Sequence, residues 1–119
     1  MKKIIALLLI FSTVLTVSAQ GSLPSEWARE SVTEIRSRKL LDSRLEGAFQ
    51  SQITRSDFAY LGVRLYELTT QEEIVVGEAS FTDTTNDYVL KAKAAGIVNG
   101  YPDGTFKPNQ SIRRDELAV

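Results

Sequence analysis

The chain has 119 residues, with 14 Lys and Arg against 15 Asp and Glu, a formal net charge of −1, and neither Cys nor His. This length suits one small domain, and without Cys or His there are no disulfides, no zinc sites of the usual ligand types and no His-dependent catalytic triad. The balanced charge leaves no basic surface for nucleic acid.

The N-terminal segment is expected to be a targeting signal. Lys2 and Lys3 precede the apolar run "IIALLLIFSTVLTV", and Val17 and Ala19 take the two key positions of an A-x-A-like cleavage site. The rival reading is a membrane anchor, but the run is short of the roughly 20 apolar residues needed to cross a bilayer and holds Ser12 and Thr13. Residues 1–19 are therefore read as a secretory signal, with a mature chain starting near Gln20. Losing Lys2 and Lys3 leaves 12 basic against 15 acidic residues, a net charge of −3. An exported domain this small, without disulfides, holds together by core packing alone, a trait more typical of bacterial export.

Helical and loop-like stretches then alternate. In "SEWARESVTEIRSRKLL", Trp27, Ala28, Val32 and Ile35 recur at helical spacings, with Ser25 after Pro24 as N-cap, and Trp27 is assigned to the core. In "TRSDFAYLGVRLYELT", Phe58, Leu61, Leu65 and Leu68 form the apolar stripe, and Thr54 with Asp57 makes a capping box with Asp in place of Glu. Residues 69–80 form a linker; its "EIVVG" has the composition of a strand and no partner. "NDYVLKAKAAG" reads as a short helix with Asn86 or Asp87 as N-cap and Gly96 as C-cap. The expected class is all-α.

Two stretches look alike. "ITRSDFA" at 53–59 matches "IRRDELA" at 112–118, an offset of 59, and "KLL" at 39–41 corresponds to "GIV" at 96–98, an offset of 57. A period above 50 residues points to stacked helix–loop–helix units that share a core. Between the helices of the second unit runs "NGYPDGTFKP". Tyr101-Pro102-Asp103-Gly104 suits a type I turn closed by Gly. Gly100 can take positive φ, Phe106 pegs the loop to the core, and Pro108 pushes Lys107 towards extended geometry. Taken alone, this is a well-made helical connector. A calcium loop starting at Asn99 would put Tyr101 and Gln110 where oxygen ligands belong, and a phosphate loop lacks its spacing and its Lys. "DTTND" at 83–87 is explained by capping, so no metal site is expected.

"FTDTTNDYVLKAKAAGIVNGYPDGTFKPNQSIRRDELAV", residues 81–119, closely resembles the S-layer homology repeat, whose hallmarks are F-x-D, a helix, G-I-V-x-G-Y-P-D-G-T-F-x-P and I-T-R-A-E. Residues 24–68 resemble it more loosely, because "DSRLEGAFQSQ" lacks the Gly-Tyr-Pro-Asp-Gly loop. The resemblance implies tandem helix–loop–helix repeats in an incomplete pseudo-threefold bundle: a degenerate first repeat at 24–68, the linker at 69–80, and a second repeat at 81–119 that stops within its last helix. It also implies non-covalent anchoring to a bacterial, Gram-positive cell wall through an anionic, often pyruvate-ketal-bearing secondary wall polysaccharide, with no cofactor and no enzymatic activity.

By the same resemblance, Arg55 and Arg114 occupy the arginine position of the T-R-A-E motif, where a guanidinium beside unsatisfied helix N–H groups suits an anion. The competing role is an exposed arginine paired with Asp57, Asp115 or Glu116, worth at most about 1 kcal/mol. Gly100, Tyr101 and Asp103 are the loop candidates for glycan contact, Tyr101 by stacking on a sugar face. Asp83 stands at the F-x-D position as ligand contact or cap. Arg113 replaces the motif's Thr, leaving Ser111 to cap the last helix. Partners are the wall polymer or, alternatively, other repeats and surface-layer subunits, with no nucleic acid and no membrane once the signal is cleaved. The chain stops at Val119, a few residues into its last helix, and is read either as a fragment of a longer protein or as a truncated product that depends on a partner; an extracellular hydrolase carrying this segment as an appendage is a further alternative.

Overall fold

The computed structural model describes residues 21–117; the expected signal at 1–19 lies outside them. A 3-10 turn, Glu26–Ala28, leads into α1 (Arg29–Ser37), followed by α2 (Arg55–Thr70), α3 (Asp87–Ala94) and a single turn, α4 (Arg114–Leu117). The described residues form a small, mostly helical domain without strands; Ser22–Ala48 and Thr54–Ser111 make isolated bridges. "EIVVG" accordingly forms no strand, and its Ile74 plugs the core.

The core lies where α2 packs against α3. Ala59 and Val63 of α2 meet Val89 and Ala92 of α3, closed off by Ile74, Val98 and Phe106. Phe106, Val63 and Val89 are the largest side chains wholly out of water, each contributing about 1.5–3 kcal/mol by burial.

The face α2 turns inward is not the expected one. Its buried residues are Arg55, Ala59, Tyr60 and Val63, while Leu65 and Leu68 remain 54% and 42% exposed. Close approach decides the orientation, since a Cβ on Gly62 would stand 2.8 Å from Ile97 Cγ2. The small residues, not the leucines, let the chain leaving α3 come near. Trp27 is 87% exposed rather than in the core. Val32 is the buried residue of α1, and Trp27 precedes it by five positions, about 140° around a helix.

The caps follow the sequence closely. Thr54 accepts from Asp57 N at 3.1 Å and donates to Asp57 Oδ2 at 2.6 Å. Asn86 Oδ1 accepts from Val89 N at 3.2 Å. Gly96, at φ +72°, ends α3 in a Schellman motif, with Ile97 N bonded to Ala92 O and Gly96 N to Lys93 O. Ser25 is different: its side chain makes no cap bond and its Oγ accepts from Gln50 Nε2.

The offset of 57 is written into the backbone too. Lys39, at φ +56°, ends α1 as Gly96 ends α3, with Leu40 N bonded to Ile35 O and Lys39 N to Arg36 O. Val32 and Val89 are buried at matching positions. Gly47 and Gly104 have φ of +80° and +82°, and Phe49 corresponds to Phe106.

Candidate functional site

The loop 99–108 is built by its own short-range bonds. Gly104 N bonds to Tyr101 O at 3.0 Å and Tyr101 N to Thr105 O at 2.8 Å, closing the expected turn. Asp103 Oδ1 accepts from Thr105 N and Oγ1, at 3.0 and 2.6 Å. Those bonds, the hydroxyl's first, hold the Asp103 carboxyl below the usual carboxylate range. Gly100 is required by space rather than by positive φ: a Cβ there would lie 2.4 Å from Phe81 Cε1 and 3.0 Å from Thr105 O.

Asp83 clamps the far end. Its two oxygens accept from Phe106 N at 2.8 Å and Lys107 N at 2.7 Å. The Phe106 amide is the main reason its carboxyl is also held low. The clamp bends Lys107 to φ +58°, overriding the extended geometry expected before Pro108. With Phe106 wholly buried and stacked 5.1 Å from Phe81, the loop is stiff.

Into this loop α2 inserts Arg55, only 6% exposed. Its Nε donates to Phe106 O at 2.8 Å, Nη2 to Asn99 O at 3.0 Å and Nη1 to Glu116 Oε1 at 2.6 Å. The guanidinium carbon lies 4.7 Å from the Phe106 ring centroid and 4.9 Å from that of Tyr101. Arg55 thus takes the Glu116 pairing foreseen for an exposed arginine, but in a buried setting, where removing a partner costs several kcal/mol. The backbone of the α2 start is equally occupied: Arg55 N bonds to Gln110 O at 2.8 Å and Ser56 N to Pro108 O at 2.9 Å. The unsatisfied N–H groups expected beside Arg55 are therefore absent. The next unit's loop fills them.

Between these parts lies a cavity of about 290 Å³, lined by Arg55, Phe58, residues 96–101, Phe106, Ile112 and Glu116. Tyr101 OH donates to Glu116 Oε1 at 3.0 Å, and Glu116 Oε2 accepts from Arg113 N at 2.9 Å. The Arg113 N–H first, then Tyr101 and Arg55, hold the Glu116 carboxyl low; burial first, and then Glu116, pushes the Tyr101 phenol up. Glu116 thus reaches back to cap the start of α4. A second cation, Lys107 Nζ, lies 4.1 Å from the Tyr101 ring centroid.

Of the candidate residues, Arg55, Gly100 and Tyr101 come together around this cavity. Asp83 and Asp103 stand outside its lining, with their carboxylates committed to the loop's own groups. Arg114 opens α4; its side chain lies outside the described part of the structure. Asn99 and Ile112 were not singled out by the sequence, and Glu116 was foreseen only as an ion-pair partner. The signal for Glu116 was available in its place at the third helical position of the I-x-R-[SD]-[DE] motif, where a carboxylate reaches back to the helix start.

The family model described as the S-layer homology domain matches residues 80–118. Among known proteins, the chain is similar to Cell surface glycoprotein 1 of Acetivibrio thermocellus, 28% identical over 105 residues that cover 77% of this chain and 4% of the glycoprotein. It is also similar to the Cellulosome-anchoring protein of that organism, 28% identical over 104 residues covering 77% of this chain and 22% of the relative. Amylopullulanase of Thermoanaerobacterium thermosulfurigenes is 34% identical over 74 residues, covering 56% of this chain and 4% of the enzyme. The chain thus spans a quarter or less of the length of these relatives. No solved structure matches it.

Proposed function

We propose that this chain is the wall-anchoring part of a secreted bacterial surface protein, holding it non-covalently by binding an anionic secondary cell-wall polysaccharide. The carrying observation is the cavity of about 290 Å³ formed inside the S-layer homology loop, with a fixed guanidinium and a tyrosine on its wall. The names of the relatives, a cell surface glycoprotein and a cellulosome-anchoring protein, support the location and the anchoring role. Arg55, Gly100, Tyr101 and Arg114 are assigned to the sugar, and Asp83 and Asp103 to holding the loop in shape. The same reading divides the chain into a secretory signal at 1–19, a degenerate repeat at 24–68, a linker at 69–80 and a second repeat at 81–119, as tandem units of a pseudo-threefold bundle. The shared offset of 57 and the paired left-handed caps at Lys39 and Gly96 support the two-repeat division.

One observation favours a second reading, a degenerate module that docks another repeat or a surface-layer subunit: Leu65 and Leu68 of α2 present apolar surface to water. Co-sedimentation with bacterial cell walls, before and after their secondary polymer is stripped, separates the two readings. Anchoring to the polymer requires binding that disappears on stripping and weakens in Arg114→Ala. A folded chain that ignores intact walls would leave the docking reading.

A further inference from the structure

We infer that Glu116 is a built-in occupant of the acid-binding position, and that an acidic glycan enters by taking the place of this carboxylate. The inference rests on the polysaccharide reading above. One oxygen, Oε1, accepts from both Arg55 Nη1 and Tyr101 OH, at 2.6 and 3.0 Å. These are the two cavity-lining side chains best suited to receive a ligand carboxylate.

The two sides of the ion pair are held very differently. The Arg55 side chain is 7% exposed, that of Glu116 22%. Arg55 keeps its bonds to Phe106 O and Asn99 O whichever anion sits on Nη1. Besides Arg55 and Tyr101, the Glu116 carboxylate accepts from Arg113 N at 2.9 Å. Among the described side chains, the charged and titratable groups facing Glu116 are Arg55 from α2, Tyr101 from the loop, and Arg113 and Asp115 on its own segment. Arg113 Nε and Asp115 Oδ1 engage each other at 3.0 Å. The receptor is the more deeply held of the two, and the occupant the nearer to water.

A sugar acid would offer its carboxylate to the same two donors, with no covalent bond made or broken. Its affinity is then the difference between two carboxylates on one guanidinium, and a neutral sugar has no claim on the position. Glu116 therefore sets both the strength and the charge selectivity of the site.

The test uses the full chain and its Glu116→Gln variant, with two probes. The first is sodium pyruvate, followed by the Arg55 Nε–H resonance in nitrogen-15 NMR; the second is the wall polymer, intact and carboxyl-reduced. The variant should bind pyruvate and the intact polymer about ten-fold more tightly than the parent, with no change towards the reduced polymer. Equal pyruvate binding by both proteins, or weaker binding by the variant, overturns the exchange even if the polymer binds. Tighter pyruvate binding by the variant while neither protein binds polymer keeps the exchange and removes the polysaccharide reading. Should Glu116→Gln lose the folded Arg55 resonance, Glu116→Asp takes its place. Its shorter side chain keeps the carboxylate but draws it back from Arg55 Nη1 and Tyr101 OH, and pyruvate affinity no higher than the parent's overturns the inference.

Discussion

The loops at 42–50 and 99–107 occupy equivalent places in the two units, and their difference separates what shapes such a loop from what tightens it. Both follow a left-handed helix exit, both carry a left-handed glycine, Gly47 or Gly104, and both have phenylalanine next to last. Yet Phe106 is wholly buried while Phe49 is only half-buried. Asp83 clamps the second loop through two amides. In the first, a neutral hydroxyl takes that place: Ser22 Oγ accepts from one amide, Gln50 N, and donates to Gly47 O, both at 3.0 Å. The second loop receives Arg55, whereas Arg44, at the position of Tyr101, pairs with Asp42 at 3.0 Å. A frame of left-handed residues and an aromatic survives the loss of Gly-Tyr-Pro-Asp-Gly; the tight seat for the aromatic does not.

The largest expected contrast lies at the phenylalanines. Phe106→Ala should lose about 3–5 kcal/mol of stability in urea unfolding, and Phe49→Ala about 1–2 kcal/mol, in keeping with partial burial. Equal losses would erase the distinction between the loops. A pH effect sharpens it. The Asp83 carboxyl is depressed in the fold, so its contribution is present above its unfolded value, roughly pH 4, and is lost as pH falls through the lower folded value. Melting of the parent should drop across that acid window, and Asp83→Asn should flatten this part of the profile. The smallest effect is a gain. Lys39 sits at φ +56° where the second unit has glycine, so Lys39→Gly should raise stability by about 0.5–1 kcal/mol, readable as a shift in the unfolding midpoint.

The second unit could be read residue by residue because its signals are local. Asn86 as N-cap, Gly96 as helix exit, the turn at Tyr101–Gly104 and the peg Phe106 all depend on neighbours a few positions away. Long-range approach was harder to read. Nothing near Gly62 in the chain announces that Ile97 will press against it, and that contact swings α2 away from its leucine stripe. The burial of Arg55 depends on acceptors 44 to 61 residues further along. Gly47 and Phe49 were visible at the offset of 57, but without the central loop motif they did not stand out.

Four of the groups that receive α2 are main-chain carbonyls, those of Asn99, Phe106, Pro108 and Gln110. A lock cut from the backbone is blind to side-chain identity. Asn99 and Gln110 are exposed and can drift through generations without loosening the joint, so long as the loop keeps its curvature. The burden of constancy falls instead on Gly100, Gly104 and Asp83, which give Arg55 no hydrogen bond and yet fix where those carbonyls point. At Asn99 and Gln110, then, mutational tolerance runs opposite to proximity: they lend α2 only their carbonyls and are free to vary, whereas the residues that aim the backbone from a distance are not.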